Sequence, residues 1–195
     1  MKQGHQEINC DLAFIALGSN ATSRVGSPLE TVRAGIETMI TRWEATRFSG
    51  FYQTPAFPAG SGPDFVNAVC AFRCSQGPET VLEILHQIEA DFGRKRSLRW
   101  GQRTLDLDLI AYGDSILPDQ PTFDHWYNLD PTEQATFAPE TLILPHPRLQ
   151  DRSFVLVPLA DVAPDWVHPR TGRTTLQMLE ARPRDERDAV IALLP

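Results

Sequence analysis

Apolar residues along this chain fall into two rhythms, and the alternation of those rhythms lays out an architecture. Residues 12–17, LAFIAL, form a continuous apolar run closed by Gly18-Ser19-Asn20, the pattern of a buried strand with a turn behind it. Ser27-Pro28-Leu29-Glu30 then opens a helix, with serine as N-cap, proline at the first helical position and glutamate three residues past the cap. Leu29, Val32, Ile36, Met39 and Ile40 give that helix its apolar stripe. Thr46 to Gln53 reads as a strand ended by Thr54-Pro55, and Phe65 to Phe72 as another, with Phe65, Asn67 and Val69 on one face. Gly77-Pro78-Glu79 starts a second helix whose stripe is Val81, Leu85, Ile88 and Phe92, stopped by Gly93. Residues 105–112, LDLDLIAY, return to period two. Leu105, Leu107 and Leu109 face a core there, while Asp106 and Asp108 point together the other way.

The resulting order, β-α-β-β-α-β, predicts an α+β fold of the ferredoxin-like kind: an antiparallel sheet with two helices on one face. Residues 115–140 are rich in Pro and Asp, which disfavours one continuous regular element, so they read as a long insertion outside the core. Arg152 to Ala160 predicts a short helix, and residues 174–195 a charged helical tail. All of this fits a single domain over residues 1–195.

Composition narrows the class. A chain of 195 residues with 42% hydrophobic and 22% charged residues is ordinary for a globular protein. The N-terminal MKQGHQEINCD is too polar for a signal peptide, and no apolar run approaches the ~18 residues that span a bilayer. Cys70 and Cys74 on one strand would stand about 13 Å apart, beyond disulfide reach. Free thiols and a cytoplasmic location are expected. The formal net charge of −7 argues against general nucleic-acid binding.

Against that acidity, Arg94, Lys95, Arg96, Arg99 and Arg103 crowd ten residues just before Asp106 and Asp108. Arginine's planar fork matches phosphate oxygens bidentately. Mg²⁺ is usually held by one or two carboxylates plus substrate phosphates, and two ions roughly 3.5–4 Å apart can share such a pair. Trp100, inside the basic run, can stack on a ring or anchor the loop to the core. On the residues alone, this segment points to phosphoryl-type transfer on a nucleotide polyphosphate, and no further.

Four separated segments carry a resemblance: IALGSN (15–20); FYQTP (51–55) with DFVNAV (64–69); GRKRSLRWGQRTLDLDLI (93–110); and LPHPRLQDRSFVLVPLADVAPDWVHP (144–169). Together they resemble the 6-hydroxymethyl-7,8-dihydropterin pyrophosphokinase family, over roughly residues 12 to 169. The resemblance implies transfer of the pyrophosphoryl group of ATP to the pterin's hydroxymethyl oxygen, with AMP released, in folate biosynthesis. It implies two Mg²⁺ ions on Asp106 and Asp108, phosphate contacts from Arg94, Arg96 and Arg103, and Trp100 closing over the site. His146 and Arg152 would hold ATP. Thr54, Pro55 and Phe57 would wall the pterin, Phe65 and Phe154 would sandwich it, and Asn67 would read its amide edge. The expected partners are ATP and the pterin, bound by a monomer, with docking to other folate-pathway enzymes open and neither nucleic acid nor membrane involved. Two rivals share these residues: a single-strand nucleic-acid module using Phe65 and the arginines, and a D-x-D nucleotidyl or glycosyl transferase.

Overall fold

The computed structural model describes residues 11–56, 60, 62–94 and 103–193. The elements in chain order are β1 (Asp11–Ser19), α1 (Pro28–Ile40), β2 (Glu44–Phe48), β3 (Phe51–Thr54), β4 (Phe65–Cys74), α2 (Pro78–Asp91), β5 (Asp106–Tyr112), α3 (Gln120–Asn128), α4 (Pro131–Thr136), α5 (Ser153–Val162), α6 (Thr175–Glu180), α7 (Arg184–Asp188) and β6 (Ile191–Leu193). The caps of the first two helices follow the sequence. The backbone N–H of Ser27 donates to Glu30 at 2.7 Å, and that of Glu30 donates back to Ser27 Oγ at 3.4 Å. Gly93 takes the left-handed conformation (φ 82°) just past α2, which a side chain would resist.

The strands form one antiparallel sheet in the order β5-β1-β4-β3-β6, with β2 also on β4. The single strand expected over Thr46 to Gln53 is divided in two. Ser49 interrupts it by donating its N–H to the Val69 carbonyl and accepting the Val69 N–H on its hydroxyl, both at 2.9 Å.

One sheet face buries Ile15, Leu17, Cys70, Phe72 and Leu107 against Val32, Ile36 and Met39 of α1 and Val81, Leu85 and Ile88 of α2. Ile40, counted with the α1 stripe by sequence, is 47% exposed instead. It lies one residue beyond Met39, about 100° further round the helix. The opposite face is covered too. Phe14, Val69, Ala71 and Ile110 pack under Val155, Leu156 and Leu159 of α5 and Met178 of α6. The molecule therefore has three layers, where the sequence predicted helices on one face only.

Residues 115–140 form no single continuous element, as their prolines predict, and hold two short helices, α3 and α4. Two of their prolines, Pro121 and Pro131, sit in the first turns of these helices, and Asp119 and Asp130 accept the capping N–H of Thr122 and Thr132. Proline and aspartate are helix-start residues in those positions, not breakers. Phe123 of α3 is fully buried, with its ring 6.0 Å from that of His168, which in turn lies 5.7 Å from Trp166. Trp166 reaches Phe14 of the second core at 5.7 Å. Through these rings α3 packs on the outer side of the second core. Phe123→Leu should lower stability by about 1 kcal/mol, read by urea unfolding, and leave turnover unchanged. A fall in turnover at unchanged stability would give the segment to the active site instead.

The C-terminal stretch is likewise not one helix. Pro183 separates α6 from α7, and the apolar residues that follow pair with β3 as β6 (Gln53 with Ile191, Phe51 with Leu193). Among the described residues no helix is long and apolar enough to cross a membrane.

His168 is fully buried, its Nδ1 accepts the Arg170 N–H at 3.2 Å, and burial pushes its pKa down from 6.5 to about 4. A histidine depressed in the folded state contributes stability that is complete above its unfolded pKa and lost as pH falls toward the folded one. Acidification from pH 7 to 5 should therefore cost about 2 kcal/mol through this residue. An NMR titration checks the cause, since an imidazole at position 168 that protonates near pH 6.5 would contradict the burial.

Candidate active site

The second sheet face is covered by α5 over only part of its length. At the far end, where β1 finishes and β4 and β5 begin, a row of side chains crosses three strands. Gly18 of β1 pairs with Asn67 of β4 on one side and Asp106 of β5 on the other, and Ala16 pairs with Asp108. A Cβ built on Gly18 would lie 3.3 Å from Asn67 Oδ1, 3.6 Å from Phe65 Cδ1 and 4.0 Å from Asp106 Cβ. The absence of that atom lets the amide and the carboxylate approach each other across Gly18. Asp106 and Asp108 do share a face, and so do Phe65 and Asn67, as the period-two pattern predicts. It is the same face.

Charge gathers at the Asp106 end. Asp106 is only 9% exposed and is ion-paired to Arg103 and, at 2.5 Å, to Arg94. Burial and the neighbouring Asp108 charge raise its pKa, and the two guanidiniums oppose the rise. Burial also outweighs the charges that act on Arg152, which feels Asp108 most strongly among its neighbours. His146 is driven down from 6.5 to about 3 by burial and by Arg152. It is therefore neutral at ordinary pH. Its Nδ1 accepts the Arg148 N–H at 3.1 Å, which leaves the ring proton on Nε2 as a donor.

Glu89 supports this cluster from behind. It is 1% exposed, accepts the Leu107 N–H at 2.8 Å and pairs with Arg94; burial pushes its pKa up to about 7. The left-handed Gly93 turns the chain so that the Arg94 N–H donates to the Glu89 carbonyl at 3.1 Å. The sequence held a usable signal for this residue. Glu89 follows Leu85 by four, which puts a carboxylate on the buried helix stripe, where unpaired acids are rare.

At the other end of the row, Asn67 (6% exposed) donates from Nδ2 to Thr54 Oγ1 at 2.8 Å. That contact directs the carboxamide oxygen toward Gly18. Pro55 is exposed. Phe154, at the start of α5, is 37% exposed, with the Arg152 guanidinium 5.8 Å from its ring centre. Arg96, Trp100 and Phe57, together with Lys95 and Arg99, lie outside the described residues. The structure thus brings together Arg94, Arg103, Asp106, Asp108, His146 and Arg152 electrostatically, and Thr54, Phe65 and Asn67 by strand register. Gly18 and Asn20, which no sequence pattern singled out individually, belong to the same end of the sheet. Small residues at alternate positions 16 and 18 were the available sign of an open strand surface. Cys70 and Cys74 are buried in the first core, and burial pushes Cys70 up to about 12, so it offers no thiolate nucleophile.

Comparison with known proteins gives this geometry a context. A family profile described as 7,8-dihydro-6-hydroxymethylpterin-pyrophosphokinase (HPPK) matches residues 14–164. A 2-amino-4-hydroxy-6-hydroxymethyldihydropteridine pyrophosphokinase of Synechocystis sp. is 40% identical over 173 residues, covering 88% of this chain and 76% of that protein. Its namesake from Haemophilus influenzae is 33% identical over 161 residues, covering 82% and 86%. Among solved structures, Plasmodium falciparum HPPK-DHPS with pterin and p-hydroxybenzoate superposes with a TM-score of 0.63 at 11% identity, over 90% of this chain and 44% of that one. The present chain spans less than half of that larger protein. With the profile covering most of its length and relatives above 30% identity matched over more than three quarters of theirs, the chain belongs to the 7,8-dihydro-6-hydroxymethylpterin-pyrophosphokinase family.

Proposed function

We propose that this protein transfers the pyrophosphoryl group of ATP to the hydroxymethyl oxygen of 6-hydroxymethyl-7,8-dihydropterin, giving the pterin diphosphate and AMP, a step of folate synthesis. The observation that carries the reading is the Asp106–Gly18–Asn67 row. It sets a charged, cation-lined end beside a flat polar and aromatic end on one sheet face. The order β1-α1-β2-β3-β4-α2-β5, with β2 and β3 as the two parts of one divided strand, and the antiparallel arrangement support a ferredoxin-like core within one domain. The buried free thiol of Cys70 supports a reducing, cytoplasmic setting.

In this reading the pterin lies at the Asn67 end. The carboxamide, oriented by Thr54, offers donor and acceptor in one plane to the pterin's amide edge. Phe65 and Phe154 stack on the ring, with Thr54, Pro55 and Phe57 as its wall. ATP lies at the Asp106 end, gripped by His146 Nε2–H, Arg152, Arg94 and Arg103, with Arg96 and Trp100 contributing from the basic segment.

The donor set suits Mg²⁺. Two carboxylates share a face, Asp106 is raised by burial and by its neighbour, and no third His, Cys, Asp or Glu joins them among the described residues. That leaves substrate oxygens to complete the shell of a hard cation. When bound, two Mg²⁺ ions on Asp106 and Asp108 would neutralise charge on the polyphosphate. The hydroxymethyl oxygen attacks the β-phosphorus, the bond from that phosphorus to the α–β bridging oxygen breaks, and AMP leaves. The protein's share is alignment and arginine charge, and no covalent enzyme intermediate is required. The test is direct: ATP, Mg²⁺ and hydroxymethyldihydropterin should yield AMP and pterin diphosphate in equal amounts. Release of ADP or free diphosphate in their place rejects the reading.

A further inference from the structure

Asn20 stands one residue past the end of β1 and is 6% exposed. Its neighbour Ser19 makes the local bond expected at a strand end, from its hydroxyl to the Ala21 carbonyl at 3.4 Å. Asn20 does something else. Its Oδ1 accepts the Arg103 N–H at 2.8 Å, from a residue 83 positions away, and its own N–H donates to the Arg103 carbonyl at 3.1 Å. Its Nδ2 donates to the Pro63 carbonyl at 3.3 Å, 43 positions away. Arg103 is ion-paired to Asp106 at the entry to β5, and Pro63 lies two residues before Phe65 at the entry to β4. A single buried amide therefore joins the polypeptide that leads into the phosphate end of the site to the polypeptide that leads into the pterin end. The carboxamide accepts from one with its oxygen and donates to the other with its nitrogen, two atoms held in one plane. Breaking either bond leaves a polar group unmatched in a place with little access to water.

We propose that Asn20 is a positioning residue that couples nucleotide binding to pterin binding through these two strand entries. The inference rests on the function proposed above. A ligand that orders the Arg103 side also restrains the Pro63 side through the shared amide, so the second ligand meets a segment already ordered. Coupling of this kind is typically about 5- to 150-fold.

The experiment measures pterin affinity by calorimetry with and without Mg²⁺ and a non-hydrolysable ATP analogue, in wild type, Asn20→Asp and Asn20→Ala. Asn20→Asp keeps an acceptor for the Arg103 N–H and removes the donor to Pro63. Wild type should gain at least about fivefold in pterin affinity when the analogue is present. In Asn20→Asp that ratio should fall to near one while the analogue alone still binds, and Asn20→Ala should lose the ratio as well. The ratio is the readout because a uniform change in nucleotide affinity, from the new charge or from lowered stability, cancels within it. A wild-type ratio of one overturns the proposal. So does a wild-type ratio retained in Asn20→Asp, whatever its melting temperature. AMP formation by the wild-type protein, assayed in parallel, keeps failure of this coupling distinct from failure of the activity itself.

Discussion

Asp108→Ala should lower turnover by about 10²–10³-fold, the loss typical when one preorganised stabiliser of transition-state charge is removed, and the protein should stay folded. Asp108 is the cleaner of the two carboxylates to remove. It is half-buried, and its side faces away from the core leucines that flank it. Asp106 is different: it is 9% exposed and holds Arg94 and Arg103 in place. Removing it leaves guanidiniums without their partner, so Asp106→Ala should damage stability and catalysis together. In Asp108→Ala the remaining activity should also demand more Mg²⁺, seen as a higher half-saturating concentration in the AMP assay. Near-normal turnover at ordinary Mg²⁺ would sink the metal assignment.

Gly18→Val should raise the KM for the pterin by about 10- to 100-fold, the range expected when extra methyl groups are forced into a filled space. Even the first added carbon would stand 3.3 Å from Asn67 Oδ1, which is tighter than ordinary contact, and 3.6 Å from Phe65. The two further methyls of valine would press on the amide and the carboxylate on either side. KM for ATP should change much less, because the phosphate grips lie on β5 and around His146 and Arg152. An equal rise in both constants would mean that Gly18 serves the sheet and not the pterin.

Most of the central frame was legible because it is written in periodicities. The capping box at Ser27, the stop at Gly93 and the two-residue rhythm of β4 and β5 each act over a few residues, and each stands where the pattern puts it. The unread parts lie where one composition has two meanings. Proline with aspartate marks a loop when scattered and a helix start when the aspartate caps and the proline follows, which is the case at Asp119 and Asp130. The closing apolar run after Pro183 stands behind a stretch of charged helix-formers that masks it, although its own residues favour a strand.

The site was legible by halves. Each carboxylate pair or aromatic–amide pair shares a strand, so period two reveals it. That the two strands flank Gly18 is a matter of sheet order, which periodicity does not contain. Gly18 works through a missing atom, and Asn20 through bonds that span 43 and 83 residues. Neither leaves a local trace beyond the segment IALGSN itself.

The alternation of β4 has a practical consequence. Val66, Ala68, Cys70 and Phe72 point into the first core, while Phe65 and Asn67 open on the other side and Val69 and Ala71 lie under α5. One ribbon thus carries three separable instructions in interleaved letters. A mutational library randomised at 66, 68 and 70 would report on melting, and one randomised at 65 and 67 on which heterocycle is accepted. The two could be varied in the same molecule with little crosstalk, since the pleat keeps their side chains on opposite sides of the sheet.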